Sequence, residues 1–407
     1  VPADRTNRLD ELAAGSLDDR LAALKALCAS APAGARRGTN LHIHTNESFS
    51  VFRSPSEAVW QARQEGVAVL GINDHYTVAG HDEFRAACAA AGIRATFSLE
   101  ALAMDRGAER EKVLLNDPDN PGRVYLCGKG VTRYPADGSP AAASLAALRT
   151  AIARRSREMT AKAAELLRER AGAAGLAWEA VQALAPRGNV TERHVAKAVF
   201  LHLRQLATGE GGTATADLVE RLCAAQPPAG AGDAALQNFI RAKLLKAGAP
   251  CFVPETEDAF LSLADMRALF LAYGAIPTYP VLGNPVTGGE RDVGALLNRL
   301  EGMGIFALEV IPKRNTRERL SEIVAAARAR HWPVFNGTEH NTPEAQPMLD
   351  PFALDPDFEP HFLASTEVLL GHQARAARGE PGFVDADGRP TVADARERFE
   401  LFRKAGR

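Results

Sequence analysis

The chain has 407 residues, with 48 Lys and Arg against 50 Asp and Glu and a formal charge of −2. Such a length buries a large core and holds two domains, or one large barrel with an insertion. Near-neutral charge without a long basic run excludes stable, sequence-independent nucleic-acid binding, leaving a small nucleotide open.

The first 36 residues carry Leu9, Leu12, Leu17, Leu21, Leu24 and Leu27 at roughly helical spacing, and Pro32 and Gly34 break the pattern. Residues 37–135 then alternate short apolar runs with helical stretches. Strands are expected at 40–44, 67–73, 94–100 and 124–127, and helices at 55–65 and 82–91. Ser54 and Pro55 suit the N-cap and first turn of one helix, and Gly92 closes the other. This alternation predicts an α/β chain with a parallel sheet or barrel. Residues 137–147 are rich in Ala, Ser, Gly and Pro and read as a hinge. Helices follow at 149–171, 177–184, 190–204 and 234–247, broken by Gly/Ala-rich tracts at 209–213 and 227–232. Residues 136–250 thus read as a helical insertion that caps a site. Over 251–345 the alternation resumes, with strands at 275–281, 305–310 and 333–336. Residues 346–407 read as two terminal helices.

Five scattered cysteines without a CxxC pair suggest buried thiols of a reducing compartment. No run of about eighteen apolar residues predicts a membrane span. Val1–Arg5 lacks a signal peptide's apolar core, so the cytoplasm is the expected location. Oligomeric state stays open.

The strand ends carry the chemistry. His42 and His44 lie i, i+2 at the end of the first strand, so both rings point to one side. Asp74 and His75 end the second and Glu100 ends the apolar run of the third. Later strand ends carry Tyr279, Glu309, and Glu339 with His340. In parallel α/β folds these positions build the site. Imidazoles and carboxylates together suit a divalent ion such as Zn²⁺, Mn²⁺ or Fe²⁺ and leave room for water. A water on such an ion becomes a nucleophile near neutral pH, as hydrolysis requires. Asp74 has the simpler alternative of capping the following turn. His81, His202, His331, His361 and His372 have no such context and read as surface or structural.

The runs HIHT, GINDHYTVAGHDEF and GIRATFSLE resemble the polymerase-and-histidinol-phosphatase (PHP) superfamily. The likeness extends over roughly 40–345 and is greatest to the nucleoside-bisphosphate phosphatase branch. There, Glu192–Ala196 is similar to an RPHFA element, Ala275–Pro280 to an AHP strand end, Ala307–Val310 to GIEV, and Gly337–Asn341 to GSDFH. The resemblance implies a distorted (β/α)7 barrel with a helical insertion and a multi-metal phosphoesterase centre. It carries metal ligation to His42, His44 and Glu100, to Glu339 in place of an Asp, and to His340 as a neighbour of the lost final histidine. Other ligands are replaced. Ser48-Phe49-Ser50 stands where the family has SDG, Tyr279 where it has the AHP histidine, Asn341 at the end of the last motif, and Lys129 near a further histidine.

The expectation is therefore a metal-dependent, phosphoesterase-like hydrolase with one divalent ion per chain, acting on a small anionic metabolite, phosphorylated or otherwise. His75, Lys129, Tyr279 and His194 are the candidate catalytic groups. Arg193, Lys313 and Asp74 are the candidates for substrate binding. Two other readings stay open: a non-hydrolytic lyase or isomerase on a sugar-like substrate, and a non-catalytic binding protein.

Overall fold

The computed structural model describes residues 9–35, 37–172, 174–207, 214–283 and 285–407. The expected helical start before residue 9 and the tract 209–213 lie outside them. The strands are β1 (Arg37–Ile43), β2 (Val67–His75), β3 (Arg94–Met104), β4 (Arg123–Lys129), β5 (Leu261–Ser262), β6 (Ile276–Val281), β7 (Leu308–Val310) and β8 (Val334–Asn336). They follow the order β1-β2-β3-β4-β6-β7-β8 around a nearly closed barrel, with β5 paired to β3 off this path. The last gap is bridged by backbone. The Glu339 and Thr338 amides donate to His42 O (2.8 and 3.2 Å), and the His44 amide donates to Glu339 O (2.7 Å).

Local sequence explains most of these elements. β1, β2 and β3 are near-continuous buried runs, as strands covered on both faces must be. The helix Pro55–Gln64 has Ser54 accepting from the Glu57 amide at 3.0 Å and proline in its first turn. Gly92 ends the helix His81–Ala91 in the left-handed region, at φ 66°.

Two expectations are corrected. The hinge at 137–147 is instead the start of a 32-residue helix, Pro140–Ala171, whose N-cap is Ser139. The small residues there are mostly alanine, the best helix former. The sheet is also not wholly parallel. β4 runs antiparallel to both β3 and β6. Between β3 and β4 the chain forms only the short helix Arg106–Arg110, so it turns back rather than crossing over.

The barrel and its covering helices share one core that includes Ile43, Leu70, Leu99, Leu126 and Val310. The helices between 140 and 253 enclose another, with Met159, Val199, Phe200, Leu222 and Ile240. Contacts from the helical segment reach the ends of β1 and β2. Asn189 Nδ2 donates to Glu47 O (2.9 Å) and His75 O (2.8 Å), and Arg149 donates to Tyr76 O (3.0 Å). The helix Glu359–Ala377 lies against the barrel, where Ser365 Oγ accepts from the Val334 amide at 2.9 Å. Among the described residues no helix is long and apolar enough to cross a membrane.

Candidate metal centre

β1 sends His42 and His44 into the barrel mouth, and both are buried. Their Nε2 atoms lie 3.1 Å apart. In register with them, β2 and β3 place His75 opposite Glu100. His42 Nε2 is 3.2 Å from Glu100 Oε2, His44 Nε2 is 3.4 Å from Glu100 Oε1, and His75 Nδ1 is 2.8 Å from the same oxygen. Donors around one tetrahedral zinc, each about 2.0–2.1 Å from the ion, stand roughly 3.3 Å from one another. The pairs His42–His44, His42–Glu100 and His44–Glu100 are each spaced as two ligands of one ion would be, with Glu100 meeting the two rings through different oxygens. His44, His75 and Glu100 form a further convergent set.

Each imidazole is oriented from behind. Glu309 Oε2, on β7, lies 2.9 Å from His42 Nδ1, so that nitrogen donates and Nε2 is the one turned to the centre. His44 Nδ1 lies 3.0 Å from Ser48 Oγ, and the Ser48 hydroxyl donates to Asp74 Oδ1 at 2.5 Å. Asp74 also accepts from the Thr45 amide and hydroxyl, both at 2.7 Å. It clamps the turn after β1 and steers His44. The structure does not bring it to the cleft as a substrate ligand.

The electrostatics fit that arrangement. Burial pushes the Glu100 carboxyl up, but His75 and His42 more than reverse this and hold it well below the usual range. Burial pushes His42 down, and the Glu309 and Glu100 carboxylates overcome it, holding the imidazole at about 9, so without an ion it is protonated and an ion would displace the Nε2 proton. Burial and the charge of His75 hold His44 at about 3, in the neutral form a ligand needs.

β4 supplies what the strand-end rule misses. Because it is antiparallel, its start rather than its end faces the mouth. Arg123 and Tyr125 line the cleft, Cys127 lies level with Glu100, and Lys129 lies deeper, opposite Ser98. Lys129 is wholly buried, pairs with Glu309 and donates to Leu41 O at 3.1 Å. Cys127 Sγ lies 3.2 Å from Glu309 Oε2 and 3.5 Å from Glu100 Oε2. Burial and Glu309 push this thiol well above its ordinary range. The alternation Arg123, Tyr125, Cys127, Lys129 was a period-2 signal that one strand face carries all four.

Above the cluster opens a cleft of about 300 Å³ between the barrel and the helical segment. His75, Glu100, Asp117, Asp119 and Glu339 lie at its wall together with Arg123, Arg193, Arg241, Lys246 and Arg314. Glu192 balances part of this charge, at 2.7 Å from Arg241 and 3.3 Å from Lys246. Arg193 makes no hydrogen bond or ion pair with a described residue; its guanidinium sits 5.9 Å over the Phe49 ring. Burial and the nearby Arg241 hold it below its ordinary value.

Residues 40–169 match the family model of the PHP domain. The chain carries a PHP domain. No curated protein sequence matches it. Among solved structures it is similar to a candidate metal-dependent phosphoesterase from Bifidobacterium adolescentis, with a TM-score of 0.53 and 20% identity, over 82% of this chain and 97% of that one. It is also similar to an amidohydrolase from Chromobacterium violaceum with sulfate bound and no metal, with a TM-score of 0.52 and 18% identity, over 81% and 97% of the two chains. At these identities the likeness concerns the fold.

The PHP match covers β1 to β4; Glu309 and Glu339 lie beyond it and stand on geometry. Glu339 pairs with Arg314 at the cleft wall. His340 is turned away: Nδ1 meets Thr338 Oγ1 (2.8 Å), Nε2 meets Gln346 O (3.0 Å), and the ring stacks on Phe52. Tyr279 falls on the outer face of β6, in the main core, and donates to Glu290 at 3.0 Å. His194 is buried with Nδ1 accepting from the Thr191 amide at 3.0 Å, and burial holds it at about 3. Lys313 is exposed and absent from the cleft lining, where its neighbour Arg314 appears instead. Phe49, in the place of the PHP carboxylate, is buried at φ 125° with its ring edge-on to His194.

Proposed function

We propose that the protein is a metal-dependent hydrolase of phosphoesterase type, acting on a small anionic metabolite with one divalent ion per chain. The observation that carries this reading is the convergence of His42, His44 and Glu100 at the base of a cleft whose wall carries Arg193 without an ion-pair partner among the described residues. The PHP domain over residues 40–169 supports the same class of chemistry. So does the likeness to the Bifidobacterium protein, a candidate metal-dependent phosphoesterase.

His42 Nε2, His44 Nε2 and Glu100 would hold the ion, which when bound supplies a Lewis acid and a water of lowered pKa. The remaining work falls to the chain itself. Glu309 and Ser48 keep each imidazole in the tautomer that presents Nε2. Arg193 offers its guanidinium to an anion, and a guanidinium suits a phosphate's planar oxygen pairs, whereas Arg123 is held by Glu255 and Asp117. His75 lines the cleft with Nδ1 on Glu100, leaving Nε2 to carry a proton to or from substrate.

The lyase or isomerase reading needs Lys129 and Tyr279 at the substrate. Both are buried and occupied by Glu309 and Glu290, so this reading loses its basis. Incubation of the zinc- or manganese-loaded chain with a panel of phosphomonoesters in ¹⁸O-labelled water tests hydrolysis. Label in released phosphate, lost in His42→Ala, is the expected result. A metal-loaded protein that turns over none of them and does not bind inorganic phosphate would overturn the proposal.

A further inference from the structure

Cys127 is the cysteine whose position the barrel makes unusual. Cys88 lies in the main apolar core, and Cys223 and Cys251 lie in that of the helical segment. Cys127 instead points to the inner face of β4, wholly buried, among charged and metal-ligating groups. Ligand atoms of His42, Glu100 and Cys127 all lie within 4.8 Å of one another. Among the described residues no other cysteine belongs to such a group.

A second observation points to a cation at the same centre. Asn73 is completely buried, with its Nδ2 3.0 Å from His42 Nε2, 3.0 Å from Glu100 Oε2 and 3.5 Å from Cys127 Sγ. Its Oδ1 is buried without a hydrogen-bond partner. The amide nitrogen, not this oxygen, stands among the three ligand atoms, so His42 Nε2, Glu100 Oε2 and Cys127 Sγ converge on one point held by a positive N–H dipole, as they would on a cation. Charge balance agrees. Lys129 already neutralises Glu309, so Glu100 and a Cys127 thiolate would together match a divalent ion.

We propose that Cys127 is a metal ligand, so that the ion held by His42 and Glu100 takes a sulfur donor and the site selects Zn²⁺, Co²⁺ or Fe²⁺ over Mg²⁺ and Mn²⁺. The inference rests on the metal-centre reading above. A soft thiolate favours thiophilic ions, whereas magnesium and manganese prefer oxygen. On binding, the sulfur–hydrogen bond breaks, sulfur keeps the electron pair for the metal, and the proton leaves to bulk solvent.

The test uses the full chain loaded with Co²⁺ alone. A thiolate-to-cobalt charge-transfer band in the near ultraviolet is expected, at one sulfur per ion. Cys127→Ser removes the band while cobalt still binds, and weakens zinc binding tenfold or more without changing Mg²⁺ binding. X-ray absorption of zinc-loaded wild-type protein supplies a readout independent of any variant, with a sulfur shell at about 2.3 Å expected. Cobalt bound without the band, or a band that survives in Cys127→Ser, overturns the sulfur ligand and leaves the metal centre standing. A chain that binds no cobalt overturns both.

Discussion

Lys129 and Glu309 form an ion pair in which neither side chain reaches solvent. One Glu309 oxygen faces this ammonium and the other faces His42 Nδ1 at 2.9 Å. Burial pushes the Glu309 carboxyl up, while His42 and Lys129 bring it below its ordinary value. Removing one partner of such a pair strands a buried charge, at a cost of about 3–5 kcal/mol. Lys129→Met is therefore expected to lower the unfolding free energy of the metal-free protein by about that amount. Lys129→Met with Glu309→Gln recovers most of it, since no unpaired charge is left. Urea unfolding of the three proteins checks this, and an unchanged midpoint for Lys129→Met contradicts it.

Gly337 ends β8 where the chain passes directly over His42. A Cβ at this position runs into the His42 Cβ and its backbone nitrogen, so neither can yield without moving β1. Positive φ values at Glu339 (68°) and His340 (57°) then fold the chain end across the mouth. Gly337→Ala is expected to displace the His42 ring and weaken zinc binding at least tenfold, because ligand placement tolerates only about half an ångström. Competition with a fluorescent chelator gives the affinity. Wild-type affinity in Gly337→Ala contradicts the tight packing.

His372 is a buried neutral imidazole with both nitrogens in use. Nε2 donates to Gly130 O (3.0 Å) and Gly274 O (2.9 Å), and Nδ1 accepts from the Phe383 amide at 3.0 Å. Burial holds it at about 4, below the ordinary value of 6.5. The folded form is the weaker base, so the unfolded chain binds more protons once the pH falls below 6.5. Stability from this group is present above that value and is lost as the pH falls toward 4. The loss amounts to about 1.4 kcal/mol per pH unit. His372→Gln is expected to be less stable at pH 8 yet to lose less stability on acidification, the two slopes differing by about that figure. Denaturant titrations at several pH values between 6.5 and 4.5 compare the two proteins, and parallel slopes would remove the basis for the prediction.

Much of the centre was legible because strand periodicity and strand-end placement are local rules. His42, His44, Asp74, His75 and Glu100 stand on consecutive parallel strands, where a residue's number fixes both its face and its height. β4 broke the second rule by running backwards, which moved Lys129 from the expected mouth to the floor and brought Arg123 up. Nothing within β4 itself states its direction, since that depends on how the chain returns after β3. Cys127 was readable by alternation with its neighbours, yet a lone cysteine on an apolar run gives no reason to look. Tyr279 was misread by motif position; the pleat puts it outside, and the adjacent Thr278 and Pro280 face inward with β6. Arg314 was passed over for Lys313, because a short helical turn decides which of two adjacent cations faces the cleft.

Arg193 is the cation on which anion binding depends most directly. It is half-buried at the cleft wall, stands beside Arg241, and makes no ion pair with a described residue, Glu192 and Glu339 acting on it only at longer range. A cation partly stripped of water, beside another cation and without a close partner, adds little to stability. Its retention is accounted for if an incoming anion completes the pairing. Arg193→Ala is thus expected to keep or raise the melting temperature while weakening inorganic phosphate binding. A lost charge-assisted hydrogen bond of about 1.5–3 kcal/mol corresponds to roughly 10- to 150-fold in affinity. Arg193→Lys keeps the charge but not the planar fork, and an intermediate affinity is expected. Calorimetric titration of phosphate into the zinc-loaded proteins gives the order wild type, Lys, Ala. A variant that loses stability and retains phosphate affinity would make Arg193 a structural residue of the helical segment.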